Sequence, residues 1–195
     1  MRRKILISAA IGLLTTTPAL AVDPVTPDQI MAALRSVRHV DARYIEHRYL
    51  HVLKTPTETR GDLHFDAPDR LVKLTDQTPS APGEQVVMDG DKLTVTRGRS
   101  SPLVIGLNDH PEIAALSTSL RATLAGDGAA LQRIFEVTVS GSFEHWLMIL
   151  QPRDPAVRKL LQWVRVSGYG ARITEIETAD VEGDRSEMNI VEQSQ

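Results

Sequence analysis

At 195 residues, with 42% hydrophobic and 24% charged side chains, the chain has the composition of a folded globular protein, and a formal net charge of −3 speaks against a nucleic-acid partner. It has no cysteine, which excludes disulfides, a thiol nucleophile and a lipid carried on an N-terminal cysteine. Aromatic residues are only 4% of the total, so its apolar faces are built from Leu, Val, Ile and Met.

Arg2, Arg3 and Lys4 precede an apolar run from Ile5 to Leu14, and the segment closes on Ala19-Leu20-Ala21. This is the pattern of a secretory signal peptide cleaved after Ala21, with an apolar core too short for the ~20 residues of a membrane helix. A single mature domain of residues 22–195 is expected, exported and soluble, with the Gram-negative periplasm as the best-fitting destination. Losing the three leader cations takes the net charge from −3 to −6.

Thr26-Pro27-Asp28-Gln29 can cap and open a helix, and Ile30, Leu34 and Val37 share one face, which predicts an amphipathic helix from Pro27 to Arg38. From Ala42 the period falls to two, a strand ending near Pro56 that sets Tyr44, Glu46, Arg48 and Leu50 against Ile45, His47, Tyr49 and His51. Gly61–Phe65 alternates Leu63 and Phe65 with Asp62, His64 and Asp66, Ala67-Pro68-Asp69 turns, and Leu71–Thr75 returns. After a loop at Pro79–Gly83, Val86 and Met88 lead into Asp89-Gly90-Asp91, a hairpin signal, and Leu93 and Val95 follow. Leu103–Leu107 reads as a further short strand.

Ile113, Leu116, Leu120 and Leu124 form a helical stripe stopped by Gly126, and a brief helix spans Ala129–Ile134. Phe135, Val137 and Val139 alternate toward a turn at Gly141, and Trp146, Met148 and Leu150 answer on the return. A short helix from Asp154-Pro155 carries Val157, Leu160 and Leu161. Strands at Trp163–Ser167, Arg172–Thr178 and Ser186–Val191 are divided by turns at Gly168-Tyr169-Gly170 and Glu182-Gly183-Asp184. Short turns between eight to eleven strands imply an α+β fold with a strongly curved antiparallel sheet.

Catalytic and metal-binding patterns are few. His47 and His51 stand four apart, but on a strand that spacing covers roughly 13 Å, and Arg48 occupies the place of a zinc-protease glutamate. No Gly-x-Ser-x-Gly elbow occurs, and Asp62, Asp66, Asp69, Asp89 and Asp91 fall on polar faces and turns. Gly126-Asp127-Gly128 lacks the Lys and Ser/Thr of a phosphate loop and instead divides two helices. No catalytic residue, metal or cofactor is expected. The aliphatic faces admit two readings, an ordinary core or an incompletely collapsed cavity for an acyl chain.

Gly61-Asp62-Leu63-His64-Phe65-Asp66-Ala67-Pro68 resembles a G-x-L strand with its Pro turn in the periplasmic outer-membrane lipoprotein carrier family (LolA). Val87-Met88-Asp89-Gly90-Asp91-Lys92-Leu93 is similar to that family's D-G-x-x-L hairpin, and Asp180, Gly183 and Ser186 fit its closing D-x-x-G-x-x-S pattern. The resemblance implies an unclosed β-barrel, or half-barrel, covered by helices, holding lipid between them and lacking enzymatic activity. It would place Leu63, Phe65, Leu71, Val86, Met88, Leu93 and Val95 on the sheet wall of the lipid site, Leu116 and Leu120 on the lid, and Phe135, Trp146 and Met148 on the far wall. The known carriers have a lid-locking arginine before the Pro where this chain has Ala67, with Arg70 as a substitute, and an aromatic residue where it has Thr94. A divergent branch is implied, similar to LolA-like proteins that move unusual lipids or lipid-linked pigments. Its expected partners are lipid or lipoprotein acyl chains, an inner-membrane exporter and an outer-membrane acceptor, with the carrier itself a monomer. The alternatives are a lipid-sensing or protein-interaction domain on the same fold, and an esterase.

Overall fold

The computed structural model describes the backbone of residues 24–194 except His110, with side chains except at 108, 111–113, 115, 116, 119 and 192–194. The leader reading of residues 1–21 lies outside the described residues. Eleven strands form one antiparallel sheet: β1 (His39–Tyr49), β2 (Thr57–Asp66), β3 (Arg70–Thr75), β4 (Glu84–Asp89), β5 (Lys92–Arg97), β6 (Leu103–Gly106), β7 (Phe135–Ser142), β8 (His145–Pro152), β9 (Leu161–Tyr169), β10 (Arg172–Asp180) and β11 (Arg185–Ser194). Their spatial order is β6-β5-β4-β3-β2-β1-β11-β10-β9-β8-β7. Two meanders are thus joined where β1 meets β11, and β6 and β7 are the two free edges, so the barrel is unclosed.

That order dictates where the helices run. Residues 107–134 connect one edge of the sheet to the other and must cross its open side, carrying α2 (Pro111–Leu124) and α3 (Gly128–Ile134) over the concave face. The first helix, α1 (Pro27–Arg35), packs beside them. Its capping box forms as the sequence predicts: Gln29 N–H donates to the Thr26 hydroxyl, and the Thr26 N–H donates to Gln29 Oε1. It ends three residues before Arg38, at the Ser36 cap, because Val37 and Arg38 already lead into β1.

Opposed residues of an antiparallel ladder share a face. On one half Phe65, Leu71, Met88, Leu93 and Ile105 form a row across β2 to β6, and Leu63, Lys73, Val86, Val95 and Leu103 form the next. On the other half Glu46, Met188, Ile176, Val166, Met148 and Val139 are in register from β1 to β7. The outer face is polar, with His39 opposite Asp66, Asp41 opposite His64 and Arg43 opposite Asp62.

Several expected boundaries shift. The first strand starts at His39 and stops at Tyr49, and Leu107 opens a single 3-10 turn rather than ending a strand. Gly141 lies inside β7, the turn falling between Ser142 and His145. Gly168 likewise lies inside β9, with the turn moved to Gly170-Ala171. Packing explains the second shift: a Cβ at Gly168 would stand 2.4 Å from Trp146 Cζ2, so this strand position is the bare backbone on which the indole rests. Trp146 Nε1 then donates to the Gly170 carbonyl at 3.0 Å. The core gathers here, where Ile30, Met31 and Leu34 of α1 and Leu131 of α3 pack on Phe135, Trp146, Met148 and Val166.

Candidate functional site

Between the core and the β2–β3 wall the helices stand off the sheet, leaving a cavity of about 380 Å³. Leu120, Thr123 and Leu124 of α2 face Leu63 and Leu71 on one side, and Leu150, Leu161, Val164 and Val166 with Phe135 on the other. Ile173, Ile176, Thr178 and Met188 form its floor. A smaller space of about 70 Å³ adjoins it beneath α1, lined by Leu34, Val37, Val40, Ala42, Phe65 and Ile190 together with Leu63, Leu71, Leu124, Ile173 and Ile176. The larger volume is within the ~300–1,000 Å³ of small-molecule sites and would take roughly a dozen groups at ~30 Å³ each. Aliphatic side chains of modest size, few aromatics and a strongly curved sheet leave the interior underfilled at its centre.

The sequence-derived residues divide into three groups by position. Leu63, Leu71, Leu120 and Phe135 line the larger cavity, and Phe65 lines the smaller one. Val86, Met88, Leu93 and Val95 share the concave face but lie farther toward the β6 edge and do not line either space. Trp146 and Met148 are buried in the core behind the cavity wall, at 2% and 0% exposure. The side chain of Leu116 lies outside the described residues.

Arg70, the expected lid residue, is out of phase with the inward Leu71, half-exposed, and paired with Asp89 at 3.0 Å. Helix α2 is fastened to the sheet by Arg121, whose Nη1 donates to the Gly90 carbonyl at the tip of the β4–β5 hairpin. Gly90 adopts φ 55°, which this two-residue turn requires.

Sequence reasoning missed the β8–β11 floor. Leu150, Val164, Val166, Ile173, Ile176 and Met188 alternate visibly, but their meeting with Leu63 and Leu71 depends on β1 pairing β11, a contact between residues some 140 positions apart. It also missed a polar group on the wall. Lys73 Nζ lies 2.5 Å from Glu46 Oε2 and 5.0 Å from the Tyr44 ring centroid, and Ser186 Oγ donates to Glu46 Oε1 at 2.7 Å. Burial pushes the Glu46 carboxyl upward, but the Lys73 ammonium, the Ser186 hydroxyl and the charge of Arg48 outweigh it and hold it below the usual carboxylate range. Tyr44 is raised by its burial and donates to or accepts from Thr75 Oγ1 at 2.9 Å.

On the outer face His39 bridges Asp66 at 2.6 Å and Asp41 at 3.0 Å, and His64 meets Asp41 at 2.5 Å. His47 pairs with Glu58 and His51 with Asp184, so the two histidines singled out by spacing serve different strand pairs. Among the described residues no group of three or more His, Asp or Glu is placed to hold a metal ion. No helix among them is long and apolar enough to cross a membrane.

A comparison with curated proteins finds no match. Among solved structures the chain is similar to a LolA superfamily protein of Nitrosomonas europaea, at 13% identity over 87% of this chain and 93% of that one, with a TM-score of 0.48. It is similar to a DUF1329 family protein of Desulfovibrio piger at 8% identity, 86% and 89% coverage and a TM-score of 0.46. LprF of Mycobacterium bovis matches at 11% identity, 86% and 90% coverage and a TM-score of 0.38. A family model described as "outer membrane lipoprotein carrier protein LolA-like" matches residues 17–191. With a match over most of its length, and with an unclosed antiparallel sheet covered by helices, the chain belongs to the LolA-like family of outer membrane lipoprotein carrier proteins.

Proposed function

We propose that this protein is a periplasmic carrier that takes the acyl chain of a lipid or lipoprotein into its central cavity and shields it from water on the way to the outer membrane. The observation that carries the reading is the cavity of about 380 Å³, walled almost wholly by aliphatic side chains and roofed by α2, in a member of a lipoprotein carrier family. Each methylene transferred into such a space contributes about 0.8 kcal/mol, so a chain of ten carbons gains about 8 kcal/mol before the cost of immobilising it. The leader pattern at residues 1–21 and the family relation support the periplasmic location.

Leu63 lines both spaces and lies on the most family-like stretch of the chain. Native mass spectrometry of protein purified without detergent should show bound lipid, and a fluorescent fatty acid should bind the delipidated protein and be displaced by unlabelled acid. Leu63→Asp should abolish that binding while leaving the far-ultraviolet circular dichroism intact. Apo protein only, with no uptake of the fluorescent acid, would overturn the carrier reading. Binding without transfer between donor and acceptor vesicles would favour a lipid-sensing domain instead.

A further inference from the structure

Among the described residues the cavity wall is apolar except at Lys73, Thr123 and Thr178, and Lys73 is the one charged residue of these. A lysine there is costly. Its ammonium carries three N–H donors, of which one serves Glu46 Oε2, while the Tyr44 ring offers its face to the charge. Hydrocarbon filling the cavity would strip water from the remaining donors, and that loss is offset only by an acceptor arriving with the hydrocarbon.

The ammonium and the groups around it point to the kind of acceptor. Glu46 is flanked by Lys73 and, one pleat along the same face of β1, by Arg48, whose charge also acts on it. The other carboxylates near Tyr44 are engaged by arginines: Asp76 accepts at 2.8 Å from Arg43, which also holds Asp62, and Glu84 accepts from Arg97 at 2.5 Å. An anionic oxygen satisfies the remaining N–H donors of the ammonium best, because a hydrogen bond with both partners charged is roughly twice as strong as a neutral one. Ser186 lies opposite Arg48 on β11 and gives its hydroxyl to Glu46, and Thr178, opposite Ser186 on β10, brings a second hydroxyl to the cavity wall. In the other direction the wall is uninterruptedly apolar, through Leu63 and Ile173 to the small space under Leu34 and Val37.

Resting on the acyl-chain reading above, we propose that the cavity selects amphiphiles with an anionic oxygen headgroup, seated against Lys73 beside Thr178, with the chain running toward Leu63 and the space beneath α1. A carboxylate and a phosphate monoester share the chemistry that Lys73 recognises, and the ligand set separates them.

The test measures dissociation constants of the delipidated protein for laurate, dodecyl phosphate, dodecanol and methyl laurate by calorimetry, in wild type, Lys73→Met and Lys73→Arg. Wild type should bind at least one of the two anionic ligands tenfold or more tightly than the two neutral ones, and the tighter of the pair identifies the headgroup. Lys73→Met should bring the anionic ligands down to the neutral ones, and Lys73→Arg should restore most of the preference. Because Lys73→Met takes from Glu46 its ion-pair partner and can unfold the sheet, the pair Lys73→Met with Glu46→Gln is measured alongside it, with the same loss of preference expected. Equal binding of all four ligands by wild type overturns the headgroup assignment while leaving acyl binding intact, as does a preference that survives removal of Lys73. Failure of all four to bind overturns the acyl-chain reading itself.

Discussion

Val164 lies on β9 at the cavity wall, half-buried, between Thr178 and Leu150 in the ladder. Replacing it by Phe keeps a residue suited to strands and pushes a ring into the open space. The ring adds about 50 Å³, and at ~24 cal/mol per Å³ of cavity filled this is worth about 1.2 kcal/mol of stability. Were the region an ordinary close-packed core, the same ring would be forced onto occupied volume and cost about 1–3 kcal/mol. The two cases differ in sign, which makes the measurement decisive. For a domain of this size the first corresponds to a melting temperature raised by about 2–5 °C. The ring also takes the room of about two methylenes, and at ~0.8 kcal/mol each a chain that fills the cavity should bind roughly fifteenfold more weakly. Calorimetric melting of delipidated Val164→Phe, paired with titration of a fluorescent fatty acid, reads both. A melting temperature lowered by several degrees, with acyl affinity unchanged, would refute the cavity and the reasoning built on it.

Gly168→Ala places a Cβ 2.4 Å from the Trp146 indole and 2.2 Å from the Arg172 carbonyl oxygen, so urea unfolding should show a loss of about 1–3 kcal/mol; a change under 0.5 kcal/mol would mean that the indole is not seated on β9. Arg121→Ala removes a charge-assisted bond to the Gly90 carbonyl worth about 1.5–3 kcal/mol, so amide exchange across α2 should quicken tenfold or more while β1–β3 stay protected; unchanged exchange would show that the helix is held elsewhere. His39 is raised above its ordinary value near 6.5 by the hydrogen bonds it donates to Asp66 and then to Asp41. A raised folded value contributes stability that is complete below 6.5 and lost as the pH climbs through the folded value, so between pH 6 and pH 8 wild type should lose more stability than His39→Gln. Asp41, lowered chiefly by its bond to His64, contributes above pH 3.8 and does not offset this loss; parallel urea midpoints for the two proteins over that interval would exclude the His39 contribution.

Local chemistry wrote much of the architecture openly. A two-residue period assigns Leu63, Phe65, Leu71, Val86, Met88, Leu93 and Val95 to one face, and register confirms that common face, because alternation needs no knowledge of neighbours. Thr26 and Gln29 specify the start of α1 by bonds three residues apart, and Asp89-Gly90-Asp91 marks the hairpin through the one residue free to take a positive φ. Where a glycine served packing rather than turning, local reasoning failed: Gly168 yields to Trp146, twenty-two positions away in sequence.

The site was less legible than the sheet. From the sequence the concave face is known but not the part of it that stays uncovered by packing. That depends on where residues 107–134 cross between the two sheet edges, and on the β1–β11 pairing that sets Met188 and Ile176 beside Glu46 and opposite Lys73. Lys73 itself looks in sequence like an ordinary strand lysine among Val72 and Leu74. Its period places it inward, yet only the tertiary structure supplies Glu46, Tyr44 and Ser186 to make an inward charge tolerable. The sequence by itself determined the strands, their apolar face and the family. The tertiary structure decided which of those residues enclose a cavity and that Lys73 stands on its wall, because enclosure is a property of elements brought together from opposite ends of the chain.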